Sequence, residues 1–256
     1  MIPKIIHYCW FGKNPLPPLA EKCIESWKRL CPEYEIIRWD EDKFDITQND
    51  YVREAYEAKK YAFVTDYVRL YALYTVGGIY VDTDVELLRP LDEFLSCEVF
   101  SGFESKRNIP TAVMGAVSSH GTVKLLLDYY NDKHFICEDG SYDMTTNVKI
   151  ITDIIAPLGL RKNGKLQTVA GFTLYPANVF CPDLKRINND RYMNSCISIH
   201  HFNGSWKSEK SKRREGSLLF KIIATPLSLL SRLLELIFGK RWVRLKTKIR
   251  KKVFKD

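Results

Sequence analysis

The sequence predicts an α/β domain with a mostly parallel central sheet, on three observations. Short apolar runs at residues 4–10, 34–39 and 79–82 alternate with stretches of helical spacing at 19–30 and 50–76. That strand–helix–strand–helix–strand order builds right-handed crossovers and a parallel sheet. Third, the run Ile79-Tyr80-Val81 ends in Asp82-Thr83-Asp84, two carboxylates one residue apart, and open α/β sheets hold their ligands at such strand ends.

Each element has its own signal. Lys4-Ile5-Ile6-His7-Tyr8-Cys9-Trp10 reads as a buried strand, stopped by Gly12 and the Asn14-Pro15-Leu16-Pro17-Pro18 cluster. Apolar residues then recur at helical spacing until Cys31-Pro32 ends the first helix, and residues 34–39 form a second strand. Residues 50–76 are helical, with a break expected near Lys59-Lys60, and Gly77-Gly78 terminates them. Farther on, strands are expected at 99–103, 112–117, 172–175 and 196–201, and helices at 123–130 and 145–155.

At 256 residues the chain can build one sizeable domain with length to spare. Seven scattered cysteines with no C-x-x-C pair argue against a disulfide framework or a zinc knuckle and for a reducing compartment. No signal peptide and no spanning apolar stretch is evident, so a cytoplasmic location is expected. The formal net charge of +8 is uneven: residues 207–256 carry a net +12, and the remainder carries −4.

Four groups of residues point to chemistry, and each has a plainer reading. On an extended strand Asp82 and Asp84 face the same way. They could cap turns, but two carboxylates closing a buried strand need a partner, and two hard oxygen ligands suit Mg²⁺ or Mn²⁺. Asp66 and Arg69 lie three apart on one face of an otherwise apolar and aromatic helix, either as a simple ion pair or as functional charges. His201, before a Gly204-containing turn and Lys207, is a structural histidine or the completion of a metal and phosphate site. Trp10 is a core tryptophan or an aromatic face for a nucleobase.

Three blocks, Ile2 to Gly12, Ala62 to Asp84 and His200 to Lys207, together resemble the DXD-containing glycosyltransferases of the capsular-polysaccharide and Och1-type mannosyltransferase group, which share a core with clostridial toxin glucosyltransferases. The resemblance implies a GT-A fold over residues 1–207, a nucleotide-sugar donor (UDP-sugar favoured over GDP-sugar), Mn²⁺ or Mg²⁺, and retention of anomeric configuration. By position it implies that Trp10 stacks on the base, Asp66 and Arg69 hold the donor sugar, and Tyr80 lies against the ribose. Asp82 would reach ribose, sugar or metal, and Asp84 and His201 would bind the metal, with His200 as the neighbouring alternative. Ser205, Trp206 and Lys207 would close over the diphosphate. Where the family carries a Gly-Pro pair this chain has Thr145-Thr146-Asn147, a departure on the acceptor side.

Residues 208–256 combine an apolar stretch with a strongly basic one, and so read either as amphipathic helices on an anionic membrane surface or as helices packed on the domain. The acidic body argues against nucleic acid. A lipid-linked glycan acceptor, met by a peripheral enzyme at the inner face of a cytoplasmic membrane, would account for such a tail. Two rivals remain: an aspartyl-phosphate-type phosphatase using the Asp82/Asp84 strand, and a non-catalytic membrane adaptor.

Overall fold

The computed structural model describes residues 1–105, 107–183 and 190–202. In chain order the elements are β1 (Ile5–Cys9), α1 (Pro18–Leu30), β2 (Glu35–Trp39), α2 (Asp50–Glu57), α3 (Tyr61–Thr75), β3 (Gly78–Val81), β4 (Val85–Leu87), β5 (Val99–Gly102), β6 (Val113–Ala116), α4 (Gly121–Asp128), α5 (Asn147–Ile155), β7 (Gln167–Val169), β8 (Phe172–Tyr175), α6 (Ala177–Phe180), α7 (Asp190–Met193) and β9 (Ser198–His200). Seven strands form one sheet in the order β2-β1-β3-β6-β5-β8-β7, and β4 pairs with β9 in a separate two-stranded sheet.

The first three strands are parallel, as the crossover order predicts. β6 enters antiparallel between β3 and β5, and β7 is antiparallel to β8. Five of the seven strands therefore run the same way. This is the mostly parallel α/β sheet that the sequence predicts. The basic C-terminal helices expected with it lie outside the described residues.

The sheet is covered on both faces, and β3 shows why its sequence is continuously apolar. Tyr80 faces the core shared with α2, α3, α4 and α5, whereas Ile79 and Val81 face the second core, which contains Trp27 of α1. The expected break in the 50–76 helix falls at Lys59, whose φ is 56°. Expected strand 196–201 is shorter and leaves the main sheet. β4 and β7, too short to give a periodic signal, were not anticipated.

The turn before β3 is fixed by one buried histidine. His7 accepts from the Trp39 indole at Nδ1 (3.0 Å), so its Nε2–H donates to the Gly77 carbonyl (2.6 Å). Burial lowers its pKa to about 4, against the opposing effect of the Gly77 hydrogen bond, so the ring is neutral near pH 7. Gly78 has φ 106°, and a Cβ there would meet the Ile5 carbonyl oxygen at 2.8 Å and His7 Nε2 at 2.9 Å. Gly78→Ala is accordingly expected to cost about 2–3 kcal/mol from strain and overlap. Chemical denaturation checks this; a loss below 0.5 kcal/mol, taking about that as the level of an ordinary surface substitution, would contradict it.

Short β4 is held from two sides. On one edge it pairs antiparallel with β9, Val85 opposite His200. On the other, the Trp27 indole donates to the Val85 carbonyl (2.8 Å), and Ser26 Oγ accepts from Leu87 N–H (2.9 Å). The segment carrying the two aspartates is thus clamped between α1 and β9.

Candidate active site and divalent-cation centre

At the carboxyl end of β3 the chain buries a guanidinium between two carboxylates. The Arg69 side chain is only 7% exposed, 3.3 Å from Asp66 Oδ1 and 3.3 Å from Asp82 Oδ1. Its Nε donates to the Thr65 carbonyl (3.0 Å), and Nη1 donates to Thr111 Oγ1 (2.6 Å) and the Thr111 carbonyl (3.1 Å). The guanidinium carbon lies 4.5 Å from the centre of the Tyr80 ring, a cation–π contact made stronger by desolvation. Tyr80 in turn donates its hydroxyl to Asp82 Oδ1 (2.8 Å).

The two ends of this cluster are unlike. Burial pushes the Asp66 carboxyl up, and the Asp82 charge adds to that. Arg69 and the Asn147 amide oppose it, leaving a pKa of about 6. For Arg69 burial works against the charge, but Asp82, Tyr80 and Asp66 outweigh it and raise the pKa. Asn147, the first residue of α5, sends Nδ2 to Asp66 Oδ1 (3.3 Å), while its Oδ1 is buried without a hydrogen-bond partner among the described residues. A buried acceptor left unpaired is costly.

Beyond Asp82 the chain turns, with Val85 N–H donating to the Asp82 carbonyl (2.9 Å). The strand ends at Val81, so Asp82 and Asp84 do not converge by strand alternation, as the sequence suggested, but through this turn. Ligand atoms of Asp82, Asp84 and His200 lie within 4.8 Å of one another. His200 Nε2 is 3.2 Å from Asp84 Oδ1. Burial lowers the His200 pKa, but the hydrogen bonds to Asp84 and Cys181 and the two aspartate charges override it, giving a value of about 10. One imidazole and two carboxylates make a donor set that fits Mn²⁺ or Mg²⁺ with coordination positions to spare for a ligand.

Among the site residues expected from sequence, Asp66, Arg69, Tyr80, Asp82 and Asp84 come together. Two expectations are corrected. His201 is not the histidine facing the aspartates: its Nε2 meets Glu86 Oε2 at 3.0 Å. On the β4–β9 ladder opposed residues share a face, so His201 lies with Glu86 while His200 faces the other way, toward the turned-in Asp84. Tyr80, expected against a ribose, is 2% exposed and lies behind Asp82 and under Arg69, because β3 is covered on both faces. Trp10 is half-buried at the end of β1, its indole donating to the Asn14 carbonyl (2.7 Å). Ser205, Trp206 and Lys207 lie outside the described residues.

Sequence reasoning did not find Thr111 or Glu41, and it named Asn147 only within the Thr145-Thr146-Asn147 departure on the acceptor side, not as a partner of Asp66. Glu41 accepts from Gly12 N–H (2.6 Å) and the Tyr56 hydroxyl (2.8 Å), fixing the loop after Trp10. No spacing rule links such distant residues to the Asp pair; for Asn147 the only signal was a polar Thr-Thr-Asn start to an apolar helix.

With this geometry in hand, residues 17–101 match the family described as a glycosyltransferase sugar-binding region containing a DXD motif. The inositol phosphoceramide mannosyltransferase 3 of Schizosaccharomyces pombe is 33% identical over 123 residues, covering 46% of this chain and 34% of that protein. The chain thus spans about a third of the length of that relative. A glycosyltransferase of Acanthamoeba polyphaga mimivirus is 25% identical over 71% of this chain and 78% of its own. Among solved structures, a glycosyltransferase involved in glycosylation of the major capsid of PBCV-1 aligns with TM-score 0.47 at 12% identity, over 79% of this chain and 96% of that one. The matched region contains Asp66, Arg69 and the Asp82-Thr83-Asp84 triplet, so the part of the chain that carries these residues is similar to that DXD-containing family.

Proposed function

We propose that the chain moves one sugar, with retention of anomeric configuration, from a nucleotide-sugar donor to a glycan acceptor, with Mn²⁺ or Mg²⁺ held by Asp82, Asp84 and His200. The observation that most supports this is the meeting of that donor set with the buried Asp66–Arg69–Asp82 cluster at one strand end. A divalent cation at that centre would neutralise charge on the departing diphosphate. Asp66 would accept from a donor-sugar hydroxyl, with Asn147 Nδ2 steadying its carboxylate. Arg69, fully engaged with the protein, would hold the two carboxylates in place instead of gripping the sugar itself. Trp10 would offer its half-exposed ring to the base, UDP favoured over GDP, and Ser205, Trp206 and Lys207 would meet the diphosphate as the resemblance implies.

The acceptor is proposed to be lipid-linked, in keeping with a relative whose name couples a mannosyl unit to a phosphoceramide. Among the described residues no helix is long and apolar enough to cross a membrane. Attachment would then rest on residues 208–256 as a separate basic segment lying on an anionic surface. The relatives lend no support to a location at the inner face of a cytoplasmic membrane. An aspartyl-phosphate mechanism is disfavoured because the Asp82 carboxylate is already engaged by Tyr80 and Arg69.

The test is slow hydrolysis of UDP-, GDP- and CMP-sugars with Mn²⁺ or with EDTA, beside Asp84→Ala. Release of one nucleotide is expected, abolished by EDTA and reduced at least about 100-fold by Asp84→Ala, as for loss of a charge-stabilising group. Failure of every donor to be hydrolysed or bound would overturn the reading.

A further inference from the structure

The segment between Phe135 and Asn147 leads directly into the site yet takes no part in donor chemistry. It folds back on itself: Ile136 and Tyr142 form an antiparallel bridge, Cys137 N–H donates to the Ser141 carbonyl (2.8 Å), and Gly140 turns at φ 78°. Its base is anchored. Glu54 accepts from Ile136 N–H (2.9 Å) and is bonded to His134 Nδ1 (2.7 Å), and the Phe135 ring packs on Phe63 of α3 at 5.0 Å. Phe63 shares a helix face with Asp66, one turn or about 5 Å farther along the axis. Five residues after Tyr142, Asn147 touches Asp66 itself.

On this anchored base three apolar side chains remain in solvent: Ile136 at 39%, Tyr142 at 45% and Met144 at 45% exposure. Tyr142 is stacked on Phe135 (centroids 5.2 Å, 20° between planes), with the Lys60 ammonium 5.8 Å from its centre. A rigidly backed aromatic ring beside the Lys60 ammonium matches the two-sided chemistry of a sugar, whose C–H face is apolar and whose edge is hydroxylated.

We infer that this loop is the acceptor wall of the site: Tyr142, two ring contacts out from Phe63 through Phe135, stacks on a sugar of the glycan acceptor beyond the position where transfer takes place. The inference rests on the transferase reading above. It implies that a sugar one unit removed from the reacting hydroxyl is the one recognised, so the wall selects disaccharide over monosaccharide acceptors.

The test compares donor hydrolysis without acceptor and transfer to aryl mono- and disaccharides of mannose, glucose and galactose, in the intact chain, Tyr142→Ala, Tyr142→Trp and Met144→Ser. Hydrolysis reports the donor site alone. Expected is unchanged hydrolysis in all variants, with KM for the preferred disaccharide raised up to about tenfold in Tyr142→Ala, restored in Tyr142→Trp, and little change for monosaccharides. Unaltered disaccharide KM in Tyr142→Ala with normal hydrolysis overturns the wall, as does a wild type that hydrolyses donor but uses none of these saccharides. A wild type that neither hydrolyses nor binds any donor overturns the transferase reading instead.

Discussion

Replacing Arg69 with methionine is expected to lower stability by about 3–5 kcal/mol, the cost of stripping one partner from a buried ion pair. The guanidinium has Asp66 on one side, Asp82 on the other, Thr65 and Thr111 around its nitrogens and the Tyr80 ring beneath it. Methionine fills much of the volume but leaves two carboxylates facing each other in a poorly hydrated space. For a chain of this size the melting temperature should fall by about 10 °C. Arg69→Lys should lie between, because one ammonium cannot span the fork of partners. The double variant Arg69→Met with Asp66→Asn should recover part of the loss. A fall below 1 kcal/mol in the single variant, roughly the level of an exposed pair, would mean that water reaches the cluster.

The second large effect has the opposite sign at neutral pH. Asp66 carries a folded-state pKa of about 6, above the value of about 3.9 in an unfolded chain. Between those two values the folded protein binds more protons than the unfolded one, so stability declines as pH rises from about 4 to 6 and is level above. The total is about 3 kcal/mol, at roughly 1.4 kcal/mol per pH unit. Asp66→Asn mimics the protonated acid, so the variant should be more stable than the wild type by up to that amount at pH 7.5 and equal to it near pH 4. Subtracting the two stability profiles removes every other titrating group. Donor hydrolysis should nevertheless drop by about 10- to 100-fold, the worth of a charged hydrogen bond to a sugar hydroxyl. If Asp66→Asn were less stable than wild type at pH 7.5, the carboxylate would be a structural partner of Arg69 first.

Much of the architecture was legible because periodicity and punctuation agreed. Gly77-Gly78 marked the entry to β3, Cys31-Pro32 the end of α1 and Lys59-Lys60 the break between α2 and α3. Antiparallel β6 was recognisable as a strand but not as an insertion, since strand order depends on which edge is free when the segment arrives. The Asp pair was legible because two carboxylates one residue apart after an apolar strand are locally anomalous. His200 and His201 could not be separated, because strand parity means nothing until the pairing partner is known. The role of Asn147 stayed hidden for a related reason: an amide reads as a cap or turn residue until a buried carboxylate is found beside it.

The pairing of β4 with β9 has a consequence for how the site comes into being. Asp84 and His200 stand 116 positions apart in the chain, whereas the Arg69–Asp82 contact closes a loop of only 13. The entropy of bringing chain ends together grows with the intervening length, and distant pairings are gathered slowly. The carboxylates are therefore organised by near neighbours, and the imidazole is recruited to them across most of the fold. The divalent-cation binding proposed for this centre would thus be a property of the finished molecule, reporting on whether its last described strand has docked.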